Sequence, residues 1–215
     1  MDEESKLTRS KRGWAEQGKF LTGRHARPEE QRLPPGQHLV KNWPVLDLGQ
    51  QPHVALDRWR LDIDGMVARP LSLDWAGMQA LPQVDRLSDI HCVTTWSRYD
   101  NRWRGVATRT LLDQVSPKDE ATAVMLHSYD GYTTNVPLAD FAAPDAILVR
   151  GWQGQPLARE HGGPVRLVIP HLYFWKSAKW ISRIELLGRD RPGFWEVNGY
   201  HMRGDPWTEQ RYSGA

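Results

Sequence analysis

The chain has 215 residues, of which 40% are hydrophobic and 25% are charged, as is typical of a soluble globular protein with one domain. Its 28 basic and 26 acidic residues leave a net charge of only +2, which argues against nucleic acid as a partner. The sequence contains no apolar run of membrane-spanning length and no secretory or twin-arginine signal, so we expect no membrane span and a cytoplasmic location.

Residues 1–37 are predicted to form an arm, because basic and acidic residues are mixed there and apolar residues follow no period. Within it, Pro34-Pro35-Gly36 requires a turn or an extended segment. Residues 38–215 have the character of a folded domain. Eleven tryptophans in the chain indicate long loops that are pinned by aromatic side chains.

Short strands and short helices follow one another along the domain. Apolar and polar residues alternate from Arg58 to Gly65, which predicts a half-buried strand. A second short strand leads to Asp74, a predicted N-cap for a helix that stops before Pro82. Further strands are predicted over the ranges 90–96, 123–129, 132–136, 147–152, 164–169 and 181–187.

Two local signals complete this prediction. Thr108 can cap a helix that contains Leu111, Leu112 and Val115. Asp130-Gly131 separates two apolar runs and is the commonest signal for a two-residue hairpin. Because strands and helices do not alternate regularly, we predict an α+β domain with mixed β-sheets and short helices.

Cys92 is the only cysteine of the chain, so it cannot form an intramolecular disulfide. A lone cysteine is commonly a buried, inert apolar side chain. Here Arg98, Arg102 and Arg104 follow it, and cationic surroundings favour the thiolate, which attacks electrophiles and binds metals. The residues alone leave two roles for Cys92 open, a nucleophile and a metal ligand.

A second stretch with binding chemistry begins at His161. The two glycines that follow it allow a backbone to approach a ligand closely, and Arg166 can bind an anion bidentately. Lys176 and Lys179 can add positive charge, and the amides around Ser177 can cradle a phosphate if they lie at a turn. The same pattern also fits a glycine turn, a core strand and a solvated basic face.

Together the two stretches resemble the molybdenum-pterin domain of the sulfite oxidase family, in particular its small bacterial members related to the periplasmic protein-methionine-sulfoxide reductase. The similarity runs from about Leu33 to Ser213. It is carried by His91-Cys92-Val93-Thr94-Thr95-Trp96-Ser97, by Asp130-Gly131-Tyr132-Thr133-Thr134 and by the segment from His161 to Lys179. The resemblance implies a molybdopterin-binding domain in which Cys92 is the thiolate ligand of molybdenum.

The resemblance also assigns roles to further residues. Those at cofactor-binding positions are Asn42, Val45, Leu46, Cys92, Ser128, His161, Arg166, Ser177, Ala178 and Lys179. On this view Arg98, Arg102 and Arg104 are candidates for attracting an oxyanion substrate, and Tyr132 for hydrogen bonding near the metal. The implied reaction is two-electron oxygen-atom transfer on a small oxyanion or an S- or N-oxide, with an unidentified electron-transfer partner.

A metal that arrives with its own dithiolene ligand needs only one protein thiolate, whereas a zinc site normally needs several protein ligands. A single cysteine therefore fits the molybdenum interpretation. We expect the chain to lack the dimerisation and haem domains of sulfite oxidases proper, which leaves its substrate and electron partner open.

Two alternatives to this interpretation stay open. In the first, Cys92 is the nucleophile of a hydrolase, with His161 or His171 as the base and Asn135 as the orienting residue. In the second, the domain binds or carries the cofactor without catalysis.

Overall fold

Two β-sheets carry the fold of residues 28–214, which are the residues that the computed structural model describes. The strands of the first sheet are His38–Leu39 (β1), Val84–His91 (β4), Trp96–Ala107 (β5), Ile147–Trp152 (β8), Gln155–Pro156 (β9) and Arg166–Val168 (β10). Those of the second are Arg60–Gly65 (β2), Leu71–Asp74 (β3), Ala123–Ser128 (β6), Thr133–Pro137 (β7) and Ile181–Leu187 (β11).

Short helices connect the strands. The α-helices in the described part of the chain are Trp75–Ala80 (α1), Thr108–Val115 (α2), Leu138–Phe141 (α3) and Phe194–Val197 (α4). Single turns of 3-10 helix lie at Glu29–Gln31, Arg159–His161, Phe174–Lys176 and Pro206–Thr208. The predicted α+β class, with mixed sheets and short helices, is confirmed.

Both sheets mix parallel and antiparallel pairs. The first has the order β1-β5-β8-β10, with β4 added on β5 and β9 on β8, and the second has the order β3-β2-β11-β6-β7. β1 runs parallel to β5, and β2 runs parallel to β11. The remaining pairs are antiparallel, which short turns can connect.

The main hydrophobic core draws side chains from both sheets and from α2, among them Leu126 and Leu148. A second, smaller cluster contains Cys92 together with Ile147 and Val149. Ile147 and Val149 flank Leu148 on β8, and successive side chains of a strand point to opposite faces. The first sheet therefore has a core on each face, and Cys92 belongs to the smaller one.

Most of the predicted elements are confirmed. Asp74 caps α1 by accepting a hydrogen bond from the backbone N–H of Gly77 at 2.7 Å. The hairpin of β6 and β7 encloses Asp130-Gly131, and β2, β8 and β11 lie where the patterns predicted strands. β10 is shorter than the range 164–169 that was predicted for it.

Two local predictions are wrong. The segment from Ile90 to Trp96 is not one strand, because β4 ends at His91 and the next four residues form a turn before β5 begins. Thr108 is the first residue of α2 rather than its cap. Its hydroxyl instead donates to the carbonyl of Phe141, so the side chain joins α2 to α3.

Residues 1–27 of the predicted arm lie outside the described residues, whereas residues 28–37 lie against the domain. Arg32 contacts Asp89 at 2.7 Å and Asp100 at 2.8 Å. The side chain of Gln37 is buried and donates to the carbonyl of Cys92 at 3.1 Å. Over residues 28–214, no helix has the length and apolar character that crossing a membrane requires.

Candidate functional site

Cys92 lies in the tight turn between β4 and β5. Its N–H donates to the carbonyl of Trp96 at 2.8 Å, and its carbonyl accepts from the N–H of Thr95 at 3.0 Å. Thr95 closes the turn with a φ of 75°, a left-handed conformation that is uncommon for a β-branched residue. The backbone around Cys92 is therefore fixed, and only 6% of the residue is exposed.

The Cys92 side chain lines a cavity of about 280 Å³. Eight aromatic residues line it: Trp43, Trp96, Tyr132, Phe174, Trp175, Trp180, Trp195 and Tyr200. The polar and charged side chains in the lining are Asp47, Thr94, Asp130, His161, Arg166, Ser177 and Lys179. The cavity thus places the thiol and a cationic group within one aromatic enclosure.

Burial raises the pKa of the Cys92 thiol, and a hydrogen bond with Thr94 and the charge of Arg211 oppose this effect only in part. The distance from Cys92 Sγ to Thr94 Oγ1 is 3.2 Å. The guanidinium of Arg211 donates to the carbonyl of Val93 beside the thiol. The cation next to Cys92 therefore comes from the end of the chain, and the thiol is protonated until a metal or another strong electrophile displaces its proton.

Arg166 is buried, with only 2% of the residue exposed, although it carries a charge. Its guanidinium donates to the carbonyls of His161 at 2.8 Å and Ser177 at 2.6 Å, and it lies 4.2 Å from the ring centre of Phe174. No carboxylate between residues 28 and 214 pairs with it. Burial lowers the pKa of Arg166 to about 9, so it is charged at neutral pH and favours an anion from outside the chain.

The backbone beside Arg166 is shaped for a close approach. Gly162 has a φ of 103°, and a Cβ there would lie 2.9 Å from Cβ of Lys179 and 3.1 Å from Cβ of Arg166. The N–H groups of Ala178 and Lys179 have no hydrogen-bond acceptor within the described range. Two unpaired amides beside a buried guanidinium form an anion-binding concavity.

Lys179 extends this positive region. Its ammonium group donates to the carbonyl of Glu160 at 2.7 Å. Burial, with a smaller contribution from the charge of Arg166, lowers the pKa of Lys179 to about 8. The charged form of Lys179 is therefore less favourable in the folded, cofactor-free protein than in the unfolded chain.

This shift predicts that the contribution of Lys179 to the stability of the cofactor-free protein rises between about pH 8 and 10.5, the range between the folded and ordinary pKa values of Lys179. In that range the unfolded chain binds the proton more tightly, so raising the pH removes a penalty on folding of about 2 kcal/mol, after allowance for partial exposure. Urea unfolding at several pH values measures the effect. Lys179→Met is the control and should lack this gain, whereas an equal gain in both proteins would contradict the assignment.

The structure brings together most of the predicted cofactor residues: Leu46, Cys92, His161, Arg166, Ser177, Ala178 and Lys179 line the cavity, as does Tyr132. Asn42 and Val45 do not line it, although Trp43 and Pro44 between them do. Asn42 and Val45 are exposed. Ser128 lies outside the lining as well, and its buried hydroxyl has no hydrogen-bond partner among the described residues.

The three arginines that were predicted to attract the substrate do not line this cavity. Arg102 and Arg104 line a separate groove. Their exposed side chains point to the opposite face of β5 from the buried ring of Trp103, because side chains alternate along a strand. Arg98 lies 4.8 Å from the ring centre of Trp152 and donates to the carbonyl of Lys41 at 3.2 Å.

The residues proposed for a hydrolase are not assembled around Cys92. Across residues 28–214, Thr94 is the only hydrogen-bond partner of the thiol. His171 is bonded to Asp140 at 2.8 Å, and Asn135 donates to Asp190 at 2.9 Å. The geometry does not support a cysteine–histidine dyad.

His161 lines the cavity but lacks the properties of a general base. Its ring is stacked on Trp43, with centroids 3.8 Å apart and planes 5° apart. Burial, followed by the charge of Arg166, lowers the pKa of His161 to about 4. It is therefore a neutral ring fixed in the wall, held between an aromatic plane and a cation.

Sequence reasoning missed several residues of the cavity. Trp43, Phe174, Trp195 and Tyr200 are wall residues, and Arg211 is the cation beside Cys92. The abundance of tryptophan was the only available signal, and it predicted pinned loops without saying which loops meet. Arg211 is far from Cys92 in sequence, so no local pattern could connect them.

Lys176 also departs from its predicted role, because its ammonium group is fully buried against Glu196 at 2.6 Å. Glu196 accepts further hydrogen bonds from Trp175 Nε1 at 2.8 Å and from Thr134 at 3.0 Å. Trp195, which lines the cavity, is the neighbour of Glu196 on α4. The buried ion pair therefore fastens the C-terminal wall of the cavity to the second sheet.

Glu196→Gln should destabilise the protein by about 3–5 kcal/mol, because it leaves the buried ammonium of Lys176 without its counter-charge. Urea unfolding should show a lower midpoint with an unchanged slope. Glu120→Gln, a change at an exposed position, is the matched control and should lie within about 0.5 kcal/mol of wild type. Equal stability of the two variants would contradict the role of the ion pair.

A comparison with protein-family models matches residues 48–195 to the oxidoreductase molybdopterin-binding domain. An uncharacterized oxidoreductase, YuiH, from Bacillus subtilis is 46% identical over 183 residues, which cover 85% of this chain and 92% of the relative. The catalytic subunit MsrP of a protein-methionine-sulfoxide reductase from Gluconobacter oxydans is 31% identical over 73% of this chain and 58% of its own length. The chain thus spans nearly all of the first relative and little more than half of the second.

The fold is also similar to a solved structure. The sulfane dehydrogenase SoxCD from Paracoccus pantotrophus aligns with a TM-score of 0.60 and 20% identity, covering 65% of this chain and 40% of that one. At this identity the likeness concerns the fold. With the family match over most of the chain, it follows that this protein belongs to the oxidoreductases with a molybdopterin-binding domain and is a sulfite oxidase-like, molybdopterin-dependent enzyme.

Proposed function

We propose that the enzyme catalyses two-electron oxygen-atom transfer on a small oxyanion or an S- or N-oxide, with molybdenum held by the Cys92 thiolate. One observation carries the proposal: the single thiol of the chain lines the same cavity as the buried guanidinium of Arg166, which has no carboxylate partner among residues 28–214. A molybdopterin would bring a metal that a thiolate can bind and a phosphate that a guanidinium can bind. The methionine-sulfoxide reductase among the relatives supports S-oxides as a substrate class.

The residues of the cavity fit this cofactor. Arg166, Lys179 and the unpaired N–H groups at 178 and 179 would hold its phosphate, and Gly162 keeps the space between them free of a side chain. Trp96 also lines the cavity, and its buried indole N–H has no acceptor in the described part of the chain. A buried donor without a partner is uncommon, and a bound ligand would satisfy it.

The protein offers few metal ligands of its own. Within residues 28–214, no three His, Cys, Asp or Glu side chains are grouped so that they could hold a metal ion. A metal at Cys92 therefore needs ligands that its cofactor brings, which a dithiolene supplies. When bound, molybdopterin supplies the redox chemistry and the site at which oxygen is exchanged.

The chain's own residues anchor, orient and shield this site. Thr94 lies within hydrogen-bond distance of Cys92 Sγ, so its hydroxyl can donate to a thiolate and orient it. Tyr132 donates to the carbonyl of Trp175 at 2.7 Å, and burial raises the pKa of its phenol well above the ordinary value. Tyr132 therefore stays protonated and braces the aromatic wall, which excludes water around the reacting atoms.

The test uses enzyme purified from a host that makes molybdopterin, with about one molybdenum and one pterin per chain. Reduced methyl viologen supplies electrons to methionine sulfoxide, dimethyl sulfoxide or trimethylamine N-oxide, and sulfite oxidation is followed with ferricyanide. We expect turnover with at least one of these substrates and none in Cys92→Ala. Fully loaded enzyme that turns over none of them would contradict the proposal and favour a cofactor carrier. A cytoplasmic site of action stays a prediction from the sequence.

A further inference from the structure

We infer that an acidic one-electron carrier protein docks in the arginine-lined groove on the outer side of β4, β5, β8 and β9. Electrons then pass between this groove and the cofactor cavity through Trp103 and Trp43. The inference rests on the proposed function, because oxygen-atom transfer requires a supply or an outlet for two electrons.

The groove is separate from the cofactor cavity and strongly basic. Its volume is about 710 Å³. The charged side chains in its lining are Asp85, Arg86, Arg102, Arg104 and Arg150. Asp85, the one carboxylate in this lining, is already paired with Arg104. The groove therefore presents an excess of positive charge on a chain whose overall charge is nearly balanced.

Two of these arginines have no carboxylate partner among the described residues. Arg102 is exposed, and its guanidinium has no hydrogen bond or ion pair with residues 28–214. Arg150 donates to the neutral amide of Gln83 at 2.8 Å. Leu87, which is 61% exposed, adds an apolar contact point among the charges. Arginine beside exposed apolar surface is a composition typical of protein interfaces, and this one favours an acidic partner.

The floor of the groove leads to the cofactor cavity through aromatic rings. Trp103 contributes to the groove lining between Arg102 and Arg104, and its buried ring lies on the other face of β5. The centre of that ring is 5.4 Å from that of Trp43, which lines the cofactor cavity. Trp43 in turn stacks on His161 at 3.8 Å. Trp152 offers a second contact, 4.9 Å from Trp43. Because electron transfer slows steeply with distance, this contiguous path suits a carrier that docks on the groove.

The groove suits a carrier better than it suits the substrate. A substrate bound there would be separated from the Cys92 turn by the packed layer of Trp43 and Trp103. A docked carrier needs only a short path for electron transfer to the cofactor cavity. Reduction of an S-oxide breaks the S–O bond, consumes two electrons and two protons and releases water, so a one-electron carrier must dock twice while solvent supplies the protons.

The first test measures binding, using an acidic [2Fe–2S] ferredoxin as the probe. At low ionic strength the full chain should bind it, and Arg102→Glu should weaken binding about fivefold or more, because charge reversal in a complementary interface slows association. Arg102→Lys should bind nearly as wild type does. Arg58→Glu, a reversal at an exposed position outside both cavities, is the matched control and should change binding little. Equal binding by Arg102→Glu and Arg58→Glu would overturn the inference, as would binding that salt does not weaken.

The second test separates the docking inference from the proposed function. With pre-reduced ferredoxin as donor and an S-oxide as acceptor, Arg102→Glu should raise KM for ferredoxin about fivefold while viologen-driven turnover stays unchanged. Viologen-driven turnover without any ferredoxin-driven turnover would refute docking and leave the proposed function intact. Absence of viologen-driven turnover in the wild-type enzyme would instead refute the proposed function.

Discussion

Replacing Cys92 with serine should lower turnover at least about a thousandfold, an effect comparable with the loss of a catalytic nucleophile. A serine hydroxyl ionises far less readily than a thiol, and its oxygen is harder and less polarisable than sulfur, so the variant lacks the thiolate that the proposal assigns to molybdenum. The variant should fold, because the Cys92 side chain has one hydrogen bond and a serine occupies the same space. It should also keep much of its pterin, since the proposal assigns the phosphate end to Arg166 and the neighbouring amides.

Activity alone does not separate a metal ligand from a nucleophile, because both roles predict lost turnover. The visible absorption and the molybdenum paramagnetic signal do separate them, since only a ligand contributes thiolate-to-metal charge transfer. Thr94→Val is the control: it removes the hydrogen bond to Sγ but keeps the ligand, so it should retain the band. A wild-type spectrum without any Cys92-dependent feature would show that the ligand assignment is wrong.

Arg166→Ala should lose most of its cofactor, whereas Arg102→Ala should retain it. Each charge-assisted hydrogen bond to a phosphate contributes about 1.5–3 kcal/mol, so losing a bidentate pair weakens binding by about two to four orders of magnitude. Arg102 lies in the separate groove, so its removal leaves the phosphate contacts unchanged. Molybdenum and pterin contents of the two purified variants give the comparison.

Arg166→Lys is the control for misfolding, because removal of Arg166 also removes its hydrogen bonds to the carbonyls of His161 and Ser177. The lysine variant keeps the charge but not the fork of donors, so its occupancy should lie between those of wild type and Arg166→Ala. Thermal unfolding should show that all three variants are folded. Equal occupancy in Arg166→Ala and Arg102→Ala would reverse the assignment of the anion site.

The sequence predicted the parts of the fold that depend on local signals. Asp74 and the Asp130-Gly131 turn determine structure within a few residues, so their helix and hairpin lie where expected. The turn at Cys92 was not predictable in this way. Val93, Thr94 and Thr95 favour strands, and the turn requires the left-handed conformation of Thr95, which the surrounding contacts impose.

The candidate site was predictable where its residues are contiguous. The segment from His161 to Lys179 brings its histidine, arginine and second lysine to one cavity. Nearness in sequence does not bring Arg102 and Arg104 into the cavity of Cys92, because strand alternation directs their side chains away from the face that carries the Trp103 ring. Arg211 approaches Cys92 only through the tertiary fold, which no local pattern encodes.

X-ray absorption at the molybdenum K-edge tests the central claim most directly, because it counts the sulfur neighbours of the metal. The account predicts that wild-type enzyme has one more sulfur neighbour than Cys92→Ser when both spectra are normalised to their molybdenum content. The same sulfur count in the two proteins would contradict it, because Cys92 would then not be bound to molybdenum.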